Sequence, residues 1–433
     1  MACGRSHPIT LNMHPSFETK AFNEIGRKLP RMNWTAKKKR QFLFWILSLV
    51  TVASGTHFFD KKIEHDTRGT TPLIRSGAWG DLQEWDIRIE QPLEYAGFEK
   101  VTANGPFWSF GRLSPEALRE LLVNCGCSDA QATGFLNSRI HGMGGVLILK
   151  PDPDALLSLS PEVRSKLYLA LSQNPANRFQ TTPYYIPNGD VDAMFSDSHE
   201  SDHKAASLVK KLLYERNGFT YFSDPEVVIK ELKTDSLRSD FLKTLTSQNA
   251  VLARLLIRRN TDIDKPLNYW ALSLHGVLMK DLRPLMEAEQ RLPEGGSLSL
   301  VYLLPPLARE KLFSTPLPPQ EAGSVLPDCH WTALNFFSAV PDPRMSDINF
   351  ASKYIMENFY EISAPGIAGD LVLLLNQANR VVHSSVYLAD DVVFTKNGIN
   401  YAQPWILMRI KDMTGNFSAL EPMKVAYFRR KGI

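Results

Sequence analysis

A cysteine and a histidine in the last third of the chain have the residue types and surroundings of a nucleophile and its base. Cys329 follows Asp328 and opens an apolar segment with helical spacing, so Asp328 is the expected N-cap. Free backbone N–H groups and the helix dipole at such a position stabilise a thiolate, the form that attacks carbonyl carbons. His383 lies in the first of two β-rich runs, 381–389 and 392–397, joined by an acidic turn. Thiol hydrolases need such a pair.

The second β-rich run supplies the residue that would orient His383. If residues 389–391 form a three-residue turn, Asn397 lies opposite His383, and an asparagine carbonyl can hold an imidazole in thiol proteases. Thr395, two residues earlier on the same strand face, is the alternative. The backbone N–H of Cys329 would supply part of an oxyanion hole.

The surroundings of both residues resemble an NlpC-type papain-like cysteine peptidase domain, and the likeness covers residues 297–433. It rests on Asp328-Cys329 before an apolar helix, on Gly-Asp-Leu-Val at 369–372 and on His-Ser-Ser-Val-Tyr-Leu at 383–388. The resemblance implies Cys329 as nucleophile, His383 as base, and as substrate a peptide or amide bond in the cell-wall peptides of a bacterium.

The chain also departs from that family's pattern. The small Ser-Gly pair typical after the cysteine is replaced by His330-Trp331, which would reshape the cleft. Counting from His383, the family's third residue falls on Thr395, a weak orienter, so Asn397 is preferred. His330 is expected to point away from the thiol and is a poor base candidate.

Two other function classes stay open. Cys329 could be a buried hydrophobe and His383 a satisfied sheet histidine, which would make the region a catalytically inactive binding or structural module of papain-like fold. A transglutaminase-like Cys-His-Asp set is a further alternative, although no downstream aspartate is well placed for it.

The segment 199–203 reads His-Glu-Ser-Asp-His and fits the zinc-peptidase pattern H-E-x-x-H. That pattern normally lies inside an amphipathic helix, whereas this context is polar and resembles a loop capping a helix that starts near Lys204. We therefore expect neither a metal nor a cofactor.

Charge is concentrated at the start of the chain. Residues 1–40 hold nine Lys or Arg against two Glu, a net +7 that leaves −4 for the rest of a chain whose total is +3. A mildly acidic body gives no reason to expect nucleic acid as a partner. The basic cluster 37–40 runs into an apolar segment at 42–53, followed by small residues, as in a secretory signal peptide.

The uncharged run 41–59 is also long enough for an uncleaved signal anchor, and translation starting at Met32 would give the basic region an ordinary length. Either interpretation places the rest of the chain outside the cytoplasm, with membrane contact only through this segment. Cys329 would then be an unpaired thiol in an oxidising compartment, while Cys125 and Cys127 are too close for an easy mutual disulfide and are expected to be buried.

The predicted fold class is α+β. Residues 1–55 form the basic segment with its signal or anchor, 56–71 a linker, 72–295 a mostly helical domain, and 296–433 a papain-like domain with a helix packed on a small antiparallel sheet. A Pro/Gly cluster at 293–296 marks the boundary. Helices are predicted over 204–215, 227–246, 251–258, 269–286 and 352–361, and strands over 298–304, 371–375, 381–389, 392–397, 405–410 and 425–429.

Overall fold

The computed structural model describes residues 72–92, 105–141, 145–195, 202–272, 279–318 and 326–432. They form mixed α/β structure with several small antiparallel sheets. The basic segment and signal or anchor (1–55) and the linker (56–71) predicted from the sequence lie outside the described residues. Within the described ranges, no helix is both long enough and apolar enough to cross a membrane.

The strands are β1 (Leu73–Gly77), β2 (Gly80–Ile89), β3 (Trp108–Ser109), β4 (Arg139–His141), β5 (Leu147–Leu149), β6 (Tyr184–Ile186), β7 (Tyr214–Arg216), β8 (Phe219–Phe222), β9 (Gln248–Ile257), β10 (Gly296–Ser299), β11 (Phe359–Ile362), β12 (Leu371–Leu375), β13 (Val381–Ala389), β14 (Val392–Lys396), β15 (Trp405–Arg409) and β16 (Lys424–Arg430).

The α-helices are α1 (Pro115–Asn124), α2 (Asp129–Asn137), α3 (Pro153–Leu157), α4 (Pro161–Leu171), α5 (Arg178–Thr181), α6 (Val191–Met194), α7 (Asp202–Lys211), α8 (Pro225–Glu231), α9 (Asp235–Thr246), α10 (Asp264–Leu272), α11 (Met279–Gln290), α12 (Pro306–Lys311), α13 (Cys329–Leu334), α14 (Ile348–Asn358) and α15 (Ile410–Phe417). Short 3-10 turns cover Pro187–Gly189, Leu300–Leu303 and Pro343–Ser346.

The described residues before 296 form a mixed α/β region rather than a mostly helical one. Helices α1 and α4 begin as their sequences predict, with Ser114 and Ser160 as N-caps before a proline. Three-stranded sheets with the orders β3-β5-β4 and β6-β8-β7 lie among these helices. Cys125 and Cys127 are buried and unpaired, as expected.

The predicted helix over 251–258 is wrong, because this segment is the second half of strand β9. Alternate residues Val251, Ala253, Leu255 and Ile257 are buried, which is the period of a strand. β9 pairs with β2 from Gln248 to Leu256, in a sheet of order β1-β2-β9-β10. Other boundaries shifted less: the helix predicted over 227–246 is divided into α8 and α9, and the strand predicted over 298–304 is β10 followed by a 3-10 turn.

The C-terminal sheet has six strands in the order β11-β16-β12-β13-β14-β15, and all its pairings are antiparallel. The strands predicted at 371–375, 381–389, 392–397, 405–410 and 425–429 are confirmed to within a residue at each end. The helix predicted over 352–361 lies earlier, as α14, and its last residues are in β11.

This sheet is covered on both faces. Val386, Phe394 and Leu407 share an apolar cluster with Ala333 of α13, whereas Tyr387 and Ile406, on the other face, pack with Met413 of α15. Since successive strand residues point to opposite faces, each position in β13 faces one helix or the other.

Pairing and packing cross the boundary predicted at 293–296. β10 begins at Gly296 and pairs with β9, and one apolar cluster contains Leu82 and Ala253 as well as Leu371 and Val386. The described residues therefore belong to one compact unit, and one of its apolar clusters spans the predicted boundary.

Candidate functional site

Cys329 is the first residue of α13, where the sequence places it. The carboxylate of Asp328 accepts a hydrogen bond from the Trp331 N–H at 2.7 Å and so caps the helix. The Thr332 hydroxyl donates to the Asp328 carbonyl at 2.6 Å. These bonds fix the first turn, and the Cys329 residue is only 5% exposed.

The environment of the Cys329 thiol opposes its ionisation. Burial, with a smaller effect of the Asp328 carboxylate, raises the pKa of the thiol to about 12. Hydrogen bonds from the backbone N–H groups of Ser384, His330 and Cys329 itself lower the pKa of the thiol, but by less than burial raises it. The helix start therefore supplies donors for a thiolate while the resting group is a neutral thiol.

His383 is held on β13 by a threonine. Its Nε2 lies 2.8 Å from Thr395 Oγ1 on β14, and its ring stacks on Phe417 of α15 with the centroids 4.3 Å apart. The residue is fully buried, and within the described part of the chain its Nδ1 has no hydrogen-bond partner. Burial and the nearby His330 lower the pKa of His383 to about 3, so the imidazole is neutral at physiological pH.

The thiol and the imidazole lie against neighbouring residues of β13 but on opposite faces of the sheet. The thiol contacts the backbone amide of Ser384, the residue next to His383. The side chain of Ser384 points toward α13, where its hydroxyl lies 2.8 Å from His330 Nδ1, while His383 packs on α15. The side chains of Cys329 and His383, both described in the structure, form no hydrogen bond with each other. The structure thus places the predicted nucleophile and base on opposite faces of β13, the thiol on the α13 side and the imidazole on the α15 side, and not in proton-transfer contact.

Asn397, the preferred orienting residue, does not contact His383. Its Nδ2 donates to Gln248 Oε1 at 3.0 Å, and its Oδ1 is buried with no hydrogen-bond partner among the described residues. The expected three-residue turn is a two-residue turn at Asp390 and Asp391, preceded by an irregularity in the β13–β14 register. Thr395 therefore takes the position beside the imidazole.

The Gly-Asp pair before β12 has a structural role. The Asp370 carboxylate receives two hydrogen bonds from Arg429, at 2.8 and 2.7 Å, and others from the backbone of Gly366 and Ile367. Gly369 has a φ of +106°, and a Cβ there would lie 2.5 Å from the Phe337 ring. These contacts fix the start of β12 against the segment that follows α13.

Sequence reasoning missed Lys396, a fully buried lysine at the end of β14. Its Nζ donates to the Gly398 and Asn400 carbonyls at 2.7 and 2.8 Å. The sequence pattern could have predicted this burial, because strand alternation puts Lys396 on the same face as the buried Phe394.

Among the described residues, carboxylate oxygens of Glu84, Asp390 and Asp391 lie within 4.8 Å of one another and could in principle share a cation. Arg409 Nη1 already bonds to Glu84 at 3.1 Å and to Asp391 at 2.8 Å, so the cluster is explained as an ion-pair network.

The first residues of the H-E-x-x-H segment lie outside the described ranges, and its last, His203, is the second residue of α7.

Comparison with known proteins adds no relative: no family model, no curated protein and no solved structure matches the chain.

Proposed function

We propose that the chain is an exported cysteine hydrolase that cleaves a peptide or amide bond, with Cys329 as nucleophile, His383 as base and Thr395 as the residue that orients the imidazole. The observation that supports this most is the 2.8 Å contact of His383 Nε2 with Thr395. Among the described residues that contact leaves Nδ1 of His383 without a hydrogen-bond partner, and the backbone amide of the next residue, Ser384, bonds to the thiol. The domain is NlpC-type in this proposal, and the substrate class suggested by the resemblance is a peptide of the bacterial cell wall.

In the proposed reaction the His383 ring must first leave the α15 face of β13 and reach the thiol. Its Nδ1 then takes the thiol proton as the Cys329 sulfur attacks the carbonyl carbon, and backbone N–H groups at the start of α13 bind the developing oxyanion. The C–N bond then breaks, and the imidazolium gives its proton to the leaving amine. Water hydrolyses the thioester, which returns the thiol and releases the acid. No cofactor or metal takes part in this scheme.

Burial favours a second candidate, a catalytically inactive binding or structural module. Cys329 is 5% exposed and His383 is 0% exposed, so a substrate reaches them only if the site opens. A raised thiol pKa together with a lowered imidazole pKa also disfavours the thiolate–imidazolium pair in the closed state.

A thiol-reactive probe separates the two candidates. Labelling of Cys329 near neutral pH that is lost in His383→Ala supports the hydrolase, provided that a panel of muropeptides and other amides contains a substrate. A wild-type protein that neither labels at Cys329 nor hydrolyses any member of the panel would leave the module as the better description.

A further inference from the structure

Lys396 is a buried cation on the face of the C-terminal sheet that α13 covers. It is 0% exposed, and its ammonium donates to the carbonyls of Gly398 and Asn400. An ammonium has three N–H donors, so these two bonds leave one for another acceptor. A lysine is almost never fully buried unless it is paired, and two neutral carbonyls leave its charge uncompensated.

A chain of contacts places Lys396 beneath the first turn of α13. Lys396 pairs with Trp405 across β14 and β15, and its Nζ lies 6.0 Å from the centre of the Trp405 ring. The indole N–H of Trp405 donates to the Thr332 hydroxyl at 3.0 Å, and that hydroxyl donates to the Asp328 carbonyl. In their negative forms both Cys329 and Asp328 favour the Lys396 ammonium.

We propose that Lys396 is the cation that stabilises the Cys329 thiolate. The inference rests on the proposed function only in taking Cys329 as the nucleophile. His383 is neutral and bonded to Thr395, His330 is bonded to Ser384, and Asp328 repels a thiolate. Lys396 is a buried positive charge on the face of β14 that α13 covers, connected to the helix start through Trp405 and Thr332, and opposite charges attract strongly in a buried site.

The titration of Lys396 gives this role a pH signature. Burial lowers the pKa of Lys396 to about 8, while Cys329 and Asp328 act in the opposite direction. Below that pH the ammonium is present and each unit of pH increases the thiolate fraction tenfold. Above it, loss of the lysine proton competes with loss of the thiol proton, and the increase flattens.

The test is alkylation of Cys329 by iodoacetamide across a pH series, followed on its own peptide by mass spectrometry in the full-length protein. Lys396→Met removes the charge, Lys396→Gln removes it but keeps donors for the two carbonyls, and Lys396→Arg keeps it. Lys311→Met is the matched control, because Lys311 Nζ lies 5.9 Å from the same indole ring but is paired with Glu310 at 2.8 Å.

We expect both uncharged variants to slow alkylation at neutral pH by about tenfold or more, corresponding to a rise of one unit or more in the thiol pKa. Lys396→Arg should recover part of the rate, and Lys311→Met should match the wild type. Folded uncharged variants with the wild-type pH profile would overturn the proposal. Should neither uncharged variant fold, the wild-type profile decides: a single titration with no flattening near the lysine pKa would also overturn it.

Hydrolysis is measured in parallel so that the two proposals fail separately. A wild type that cleaves nothing, together with a slower Lys396→Met labelling, removes the hydrolase and keeps the thiolate partner. An active wild type with unchanged labelling in Lys396→Met and Lys396→Gln keeps the hydrolase and removes Lys396 as the partner of the thiolate.

Discussion

The Oγ1 of Thr395 lies 2.8 Å from the Nε2 of His383, which makes a threonine, and not Asn397, the hydrogen-bond partner of the buried imidazole. A hydroxyl can accept from an N–H or donate to a ring nitrogen, whereas a side-chain carbonyl only accepts. Thr395 therefore fixes the orientation of the ring but fixes its tautomer less strongly than an asparagine would.

Thr395→Val should reduce turnover and the neutral-pH labelling of Cys329, because the buried Nε2 loses its partner. Leaving a buried polar group unpaired costs about 1–3 kcal/mol, which corresponds to roughly a 5- to 150-fold loss if the ring must be held for catalysis. Asn397→Ala is the control and should leave labelling unchanged, since its amide bonds to Gln248. A larger effect of Asn397→Ala on labelling would reverse the assignment.

Cys329→Ala, His383→Ala and the double variant should lose nearly the same activity on muropeptides, because a nucleophile and its base act as one unit. Cys329→Ser should be nearly inactive as well, since a serine hydroxyl lacks the lower pKa of a thiol. Full activity in Cys329→Ala would contradict the mechanism.

His383 should make the protein less stable in acid. Its pKa is about 3 when folded and about 6.5 when unfolded, so between these values the unfolded chain binds the extra proton and stability falls as pH falls. The expected loss from this group is about 3 kcal/mol between neutral pH and pH 4. Urea unfolding of wild type and His383→Gln at both pH values measures it, and a variant with the same pH slope as the wild type would show that the imidazole is not buried as a neutral group.

Arg409 should stabilise the contact between the C-terminal sheet and β2. Its guanidinium bonds to Glu84, which is 1% exposed, to Asp86 and to Asp391. Removing one partner of a buried pair costs about 3–5 kcal/mol, so Arg409→Met should be strongly destabilising.

Burial raises the pKa of Glu84 to about 7 even with Arg409 present, and without Arg409 its pKa should rise further. Because the folded state then holds a proton that the unfolded state releases, Arg409→Met should lose more stability at alkaline than at mildly acidic pH. Adding Glu84→Gln should remove most of that pH dependence. An Arg409→Met protein whose stability did not vary with pH would contradict this account.

Cleavage near 293–296 should not release a free C-terminal domain. The sequence predicts a separable unit over 296–433, but β10 pairs with β9, and Leu371 and Val386 share a core with Leu82. After limited proteolysis we expect the two fragments to elute together from a sizing column under native conditions. A monomeric, folded 296–433 fragment would support the boundary predicted from the sequence.

The sequence determined those features that depend on neighbours along the chain. The capped start of α13, the Ser-Pro starts of α1 and α4, and strands β12 to β16 follow from local capping and alternation. The positions of Cys329 and His383 on a helix start and a strand were predicted for the same reason.

Only the tertiary structure decided the rest. The run 251–258 has helix-forming Leu, Ala and Arg, yet pairing with β2 and burial of alternate residues make it a strand. A two-residue turn and an irregular register bring Thr395, not Asn397, to His383. Helices packed on both faces of the sheet bury Cys329, His383 and Lys396, and it is this burial, a property of distant segments, that sets their pKa values.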